Sequence, residues 1–376
     1  MNFFHYFRSR QGEMVNMLKE LVHLESPSTD RKAVNKCSSF LARELKKIGA
    51  KVTRHPQQEI GDLYVAEYPR KKPKQRKEQI LLLTHIDTVW PVGKINEMPF
   101  YLSEKKLYGP GVLDMKASIV MAFYTLKTLH DLNIEPEKKI ALFINSAEEI
   151  GSKNAYEILG KLAKRSASVL CLEPSLPGGA LKIQRKGRLV IQLKAKGKAA
   201  HAGNPDKGIS AIDELMFQFR AMQKLKTKNT TVNIGLISGG EKANIVAENA
   251  SAVLDIRFWN NQQKQKILEY FKQVVPILKG AKIQFKVESL TPPMEKTKKT
   301  LKLFNKAQEI ASSLDLTLEA GKSGGGSDAS VASNMGVPTL DGLGPDGDGI
   351  HAENEHLILP SLTERTAFLT ELLCRL

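Results

Sequence analysis

A chain of 376 residues with a formal charge of +16 is too long for one ordinary core and points to about two domains. Apolar residues at 41% and charged residues at 26% exclude wholesale disorder and collagen-like repetition, and no apolar run approaches the roughly 18 residues of a membrane span. The N-terminus has no basic region or small-residue cleavage site of a secretory leader, and Cys37, Cys171 and Cys374 show no CxxC spacing, so a reducing cytoplasm is the expected compartment.

In chain order, Met14, Met17, Leu18, Leu21 and Val22 fall at helical spacing. A second helix runs through Val34, Cys37, Phe40, Leu41, Leu45 and Ile48, with Gly49 at its C-cap. Strand-like segments at Leu63–Tyr68 and Ile80–Thr84 flank the densest basic run, residues 70–77. That run contains Pro73 and no aromatic side chain to stack on a base, so it reads as a solvated loop, and nucleic acid is not an expected partner. A helix near 116–130, strand Lys139–Asn145, a helix near 153–163 and strand Ser168–Leu172 follow. Apolar, unalternated strands separated by helices predict a buried, mostly parallel α/β sheet.

The pattern changes near Gly178-Gly179. Over Gly187–Lys196 apolar Leu189, Ile191, Leu193 and Ala195 alternate with other residues, as in a strand buried on one face. Helix 209–224, strands Thr231–Ser238 and Ala250–Phe258, helix 262–278 and strand Lys282–Glu288 complete a βαββαβ, ferredoxin-like order. After Pro292-Pro293 the α/β style returns with helix 299–313, a short strand near Leu316 and strand Val337–Leu340. The expected organisation is an α/β domain over 1–180 and 292–376, interrupted by an inserted α+β domain over 181–291.

Chemistry-bearing residues cluster at the predicted strand ends, where open α/β sheets place ligands. His85 and Asp87 are two apart, so they share a side of an extended strand, and a carboxylate can orient a ligating imidazole. Asp114 sits at a glycine-flanked turn entering a helix, where an N-cap is the plainer reading. Glu148-Glu149 ends one strand and Glu173 another; the plainer reading of the pair is the first turn of a helix. His351 lies in a loop whose Asp346-Gly347-Asp348-Gly349 lacks calcium-loop spacing. Together His85, Asp114, Glu149, Glu173 and His351 offer two imidazoles and three carboxylates, a set that suits two divalent ions roughly 3.5–4 Å apart with a bridging carboxylate.

These residues stand in His85-Ile86-Asp87, Gly109-Pro110-Gly111-Val112-Leu113-Asp114-Met115-Lys116, Glu148-Glu149-Ile150-Gly151-Ser152 and Leu172-Glu173-Pro174, and in the His351 loop. With Ala200-His201-Ala202-Gly203, Asp255-Ile256-Arg257 and Gly324-Gly325-Gly326-Ser327-Asp328, the chain resembles the M20 metallopeptidase family, and within it the glutamate carboxypeptidase group. The resemblance implies a zinc-exopeptidase-like catalytic domain with an inserted lid and dimerisation domain. It implies two zinc ions, replaceable by cobalt or manganese, with His85 and Glu173 on one, Glu149 and His351 on the other, and Asp114 bridging. Glu148 would be the general base and Asp87 the orienter of His85, and the Asp114–Met115 peptide bond would be cis.

By the same resemblance His201 stabilises the oxyanion in the active site of a homodimer partner, and Arg257 binds the substrate's carboxylate. Asn244 is a further substrate-binding candidate. Gly325 and Gly326 read as a wall where backbone N–H groups approach the ligand, with Asp328 starting a helix. The implied substrate is a small peptide or N-acyl amino acid. The expected reaction is glutamate carboxypeptidase-like, the alternative being an N-acyl amino acid deacylase of the aminoacylase, acetylornithine deacetylase or desuccinylase type.

Overall fold

The computed structural model describes residues 2–68, 79–151 and 153–376; the basic run over 70–77 and Ser152 fall outside the described residues. The chain divides into two units. Unit 1 holds Met1–Ile183, Lys296–Lys322 and Ser327–Leu376; unit 2 holds Gln184–Glu295 and Ser323–Gly326.

Unit 1 begins with α1 (Phe3–Ser9), α2 (Gln11–His23) and α3 (Arg31–Lys47), followed by β1 (Lys51–His55), β2 (Leu63–Tyr68) and β3 (Gln79–His85). Short strands β4 (Tyr101–Ser103) and β5 (Lys106–Tyr108) precede α4 (Ala117–Asp131), β6 (Lys139–Asn145), α5 (Lys153–Lys164) and β7 (Ser166–Cys171). The chain leaves along β8 (Leu181–Arg185). Unit 2 is β9 (Gly187–Lys196), α6 (Ala211–Met222), β10 (Thr231–Gly239), β11 (Asn249–Phe258), α7 (Asn261–Lys272) and β12 (Lys282–Thr291). The return path is α8 (Lys298–Ser312), β13 (Ala320–Ser323), α9 (Asp328–Asn334), β14 (Thr339–Leu340), β15 (Gly347–Asp348), β16 (His356–Ile358) and α10 (Leu359–Arg375).

The sheet of unit 1 has the order β1-β2-β6-β3-β7-β14. Strands β6, β3, β7 and β14 run parallel, and β1 and β2 are antiparallel additions at one edge. Every residue of β3 is buried, odd and even positions alike, so helices must cover both faces. Helix α4 packs against β3, α3 against β1 and β2, and α5 and α9 against β7. Register sets the site: His85 lies opposite Asn145 and Leu83 opposite Cys171, which brings the C-terminal ends of β3, β6 and β7 side by side. A second sheet, β15-β16-β5-β4, lays the segment after His351 beside β5 and the loop that follows it.

Unit 2 is an antiparallel sheet ordered β10-β11-β9-β12. Its alternation is the predicted one: Leu189, Ile191, Leu193 and Ala195 of β9 join Leu254, Ile256, Ile267 and Phe271 in a separate apolar core. Helix α7 stops at Lys272 instead of running to 278, because Pro276 has no N–H for a helix interior. The strand expected near Leu316 does not form. There the chain turns back on α8, with Leu316 N–H donating to the Ala311 carbonyl, and β13 begins only at Ala320. Among the described residues no helix is long and apolar enough to cross a membrane.

Candidate metal centre

The buried strand β3 ends at His85, whose Nδ1 lies 3.0 Å from the Asp87 carbonyl oxygen and 3.4 Å from Asp87 Oδ1. A proton on Nδ1 donated to Asp87 leaves the Nε2 lone pair free. That Nε2 is 3.0 Å from Asp114 Oδ1 and 3.7 Å from Glu173 Oε1. On the other side, His351 Nε2 is 3.5 Å from Asp114 Oδ2 and 3.1 Å from Glu149 Oε2. Each oxygen of Asp114 therefore faces a different imidazole, and each imidazole has a second carboxylate beside it.

Local structure explains how each group arrives. Asp114 lies in the turn from Gly111 to Lys116, and the Asp114–Met115 peptide bond is cis. Gly111 has φ 70°, and a Cβ there would collide with the Thr88 side chain. Helix α4 has no side-chain cap, so Asp114 is not the N-cap that the plainer reading expects. Glu148 and Glu149 occupy a turn ahead of α5. Both of their N–H groups donate to the buried carboxylate of Asp87, at 3.1 and 3.2 Å, and Ser28 Oγ donates to it at 2.7 Å. Asp87 thus holds His85 and the double-glutamate turn together. His351, half exposed, sits at φ 62° in a turn leading to β16.

The electrostatics are those of crowded carboxylates. Burial pushes the Asp114 carboxyl up, but His351 and His85 together pull it well below the usual range. Burial alone would lower His85; Asp114 and Asp87 raise it well above an ordinary histidine. Hydrogen bonds to Asp114 and Glu149 push His351 up to about 10. Burial, reinforced by the nearby Glu173, raises Glu148 well above a normal glutamate. One ligand atom each from His85, Glu148 and Glu173 lie within 4.8 Å of one another, and so do those of His85, Asp114 and Glu149. Two imidazoles among buried carboxylates, with no thiolate, form a donor set that fits borderline divalent cations.

The other candidates, Asp328 of unit 1 apart, belong to unit 2 and its loop Ser323–Gly326. His201 and Asn244 come together on paired loops: Ala202 N–H donates to the Asn244 carbonyl at 2.9 Å, and both side chains are exposed. Arg257 Nε and Nη2 donate to Asp255, at 2.7 and 3.2 Å, and Nη1 donates to the Gly324 carbonyl at 3.2 Å. The carbonyls of Gly325 and Gly326 accept from Arg185, so arginines hold this loop by its oxygens. Asp328 begins α9 and is buried, with Asn145 Nδ2 donating to it; burial raises it to about 6.

Three residues without an assigned role in the sequence reading support the cluster. Ser28 anchors Asp87. Asn145 ties β6 to Asp328 and accepts from Ala147 N–H at 3.1 Å. Glu355 accepts four hydrogen bonds in the Asp114 region. Each is a common polar residue with partners far away in sequence, side chains for Ser28 and Asn145 and mostly backbone for Glu355, so no local pattern marks it.

Comparison with known proteins agrees with this geometry. Residues 81–375 match the model of peptidase family M20/M25/M40. Carboxypeptidase G2 from Pseudomonas sp. is 28% identical over 369 residues, covering 96% of this chain and 88% of that protein. Among solved structures, the aminopeptidase PepT from Bacillus cereus superimposes with a TM-score of 0.79 at 23% identity, covering 97% of this chain and 98% of that one. The Bacillus subtilis YXEP protein, described as a dinuclear metal-binding peptidase, superimposes at 0.73 with 18% identity, covering 98% of each. With the family match running through His85, Asp114, Glu149, Glu173 and His351, the chain belongs to peptidase family M20 and is a metallohydrolase of that family.

Proposed function

We propose that this chain is a two-metal glutamate carboxypeptidase-like exopeptidase, cleaving the amide bond next to a residue with a free carboxylate. The observation that carries this is Asp114, whose two oxygens face His85 and His351 separately. His85 and Glu173 would hold one divalent cation, Glu149 and His351 the other, and Asp114 both, with zinc the expected metal. When bound, the cations polarise the scissile carbonyl and lower the pKa of water.

The chain's own groups do the rest. Glu148 takes a proton from the attacking water and passes it to the leaving amine, a task that its raised proton affinity suits. Asp87 orients His85 and fixes the turn that carries Glu148. Arg257, oriented by Asp255 through Nε and Nη2, offers its remaining Nη N–H groups to the substrate's carboxylate, with Asn244, Gly325 and Gly326 as further substrate contacts. Unit 2 serves as lid and dimerisation domain, with His201 stabilising the oxyanion in the partner's site. Similarity to carboxypeptidase G2 supports the peptidase reading over an N-acyl amino acid deacylase.

The experiment is a substrate panel of acyl-glutamates, acyl-aspartates, dipeptides and N-acetyl or N-succinyl amino acids, with zinc, cobalt or manganese. Peptidyl- or acyl-glutamates should be turned over fastest; a preference for N-acetyl or N-succinyl amino acids would replace the peptidase reading with the deacylase one. In the same panel Glu148→Gln should keep both metals and lose at least ~100-fold in kcat. Half the metal content with normal activity per bound metal would exchange the roles of Glu148 and Glu149.

A further inference from the structure

Glu355 is 1% exposed, and both of its carboxylate oxygens are fully engaged. Oε2 accepts from Trp90 Nε1 and Gly111 N–H, each at 2.9 Å. Oε1 accepts from Leu113 N–H at 2.9 Å and Asp114 N–H at 3.0 Å. Three of these four donors are backbone groups of the single turn that carries Asp114. The acceptor itself lies four residues beyond His351, and the next residue, His356, opens β16 and pairs with Tyr108 of β5. One buried carboxylate therefore joins the loop that supplies Asp114 to the loop that supplies His351.

Four donors converging on two oxygens require an acceptor-only group. A glutamine amide of the same shape would turn an NH2 toward two N–H donors. A neutral carboxylic acid would do the same with its hydroxyl. The bonds are made to peptide N–H groups, so they fix backbone rather than a movable side chain. Asp114 N–H is itself one donor, which leaves little freedom for the carboxylate that both imidazoles share.

We infer that Glu355 is a positioning residue: without touching a cation, it sets the Asp114 turn against the His351 loop at the spacing that a pair of divalent cations needs. This rests on the two-metal reading of the site. Partners of this kind, one layer behind the ligands, typically change metal affinity 10–100-fold when lost.

The test uses cobalt as the probe with the full chain. Competition titration gives the affinity and stoichiometry, and the cobalt d–d absorption reports the ligand arrangement. Glu355→Gln should bind the cations ~10–100-fold more weakly and show an altered d–d spectrum. Trp90→Phe removes one donor without touching the Asp114 turn, so it should shift both readouts in the same direction by less; it also keeps the test alive if Glu355→Gln does not fold. Unchanged cobalt affinity and spectrum in folded variants, with only a lower unfolding midpoint, would overturn the inference by reducing Glu355 to a structural anchor. Wild-type protein binding fewer than two cobalt ions would sink the two-metal reading itself, which is a distinguishable failure.

Discussion

At the scale of single residues, protons and cations compete for the same atoms. His351 is raised to about 10 by Asp114 and Glu149, and His85 is raised well above its ordinary value by Asp114 and Asp87. These carboxylates favour the protonated form of both imidazoles. For His351 that proton favours the fold fully below the unfolded value near 6.5, and the contribution is lost as pH rises through about 10. A cation held as proposed would need the same Nε2 lone pairs, so loading would expel protons, and affinity would fall on acidification. Calorimetric titration with zinc near neutral pH, in buffers of different ionisation enthalpy, should show net proton release, which His351→Ala diminishes. Heats independent of buffer would contradict this charge state. The ligand candidates were legible in the sequence because His85, Glu149 and Glu173 follow apolar strands, and Asp114 and His351 stand in glycine-rich motifs. Ser28, Asn145 and Glu355 were not, because their partners are main-chain or side-chain atoms that only the fold brings near.

Secondary-structure elements show the same division. Strands β3, β6 and β9 carry burial in their own residues, as an unbroken apolar run or a strict alternation, and the sequence places them closely. β1 does not: Lys51, Thr53 and Arg54 are exposed, and it exists because β2 offers an antiparallel edge. α10 carried readable signals, Pro360 in its first turn and Leu362, Leu369, Leu372 and Leu373 buried, yet it was not among the predicted elements. One connection deserves a direct trial. Gly344 lies where the chain from β14 passes the end of β7, and its N–H donates to the Glu173 carbonyl at 2.9 Å. A Cβ there would stand 2.5 Å from the Leu172 carbonyl oxygen and 2.7 Å from that of Glu173. Backbone cannot swing aside as a side chain can, so Gly344→Ala should cost about 1–3 kcal/mol in urea unfolding and weaken binding of the cation assigned to Glu173. A change within about 0.5 kcal/mol, as for an ordinary surface substitution, would show that the strand end relaxes freely.

For the whole molecule, the expectation to test is that two chains share each active site. Within unit 2 the two sheet edges differ. Both have a register break, after Ile234 in β10 and after Val287 in β12, but β12 also carries Lys282 and Lys286, charges that discourage pairing. β10 exposes Leu236 at 68% and Ile237 at 58%, and α6 exposes Met216 at 58%. A two-fold pairing would bury these on both chains at once. His201→Ala and Glu148→Ala chains, each inactive alone, should therefore regain activity when mixed under conditions of subunit exchange. In the mixed dimer one site keeps both Glu148 and His201. Mixed dimers that form but stay inactive would confine His201 to its own chain or to no catalytic role.

The segmented build of unit 1 has a consequence for synthesis. Phe3 and Phe7 of α1 lie in the same core as Phe368, Leu369 and Leu372 of α10, and β14 adds its edge to β7 only after all of unit 2 has been made. On the ribosome His85, Asp114, Glu149 and Glu173 emerge early, whereas His351 and Glu355 come late. Unit 2, contiguous but for Ser323–Gly326, can fold while its host still lacks three helices. A nascent chain can therefore hold a folded insert together with an incomplete set of candidate ligands. With the proposed ligand set, a complete two-cation site can form only once His351 and Glu355 have been made.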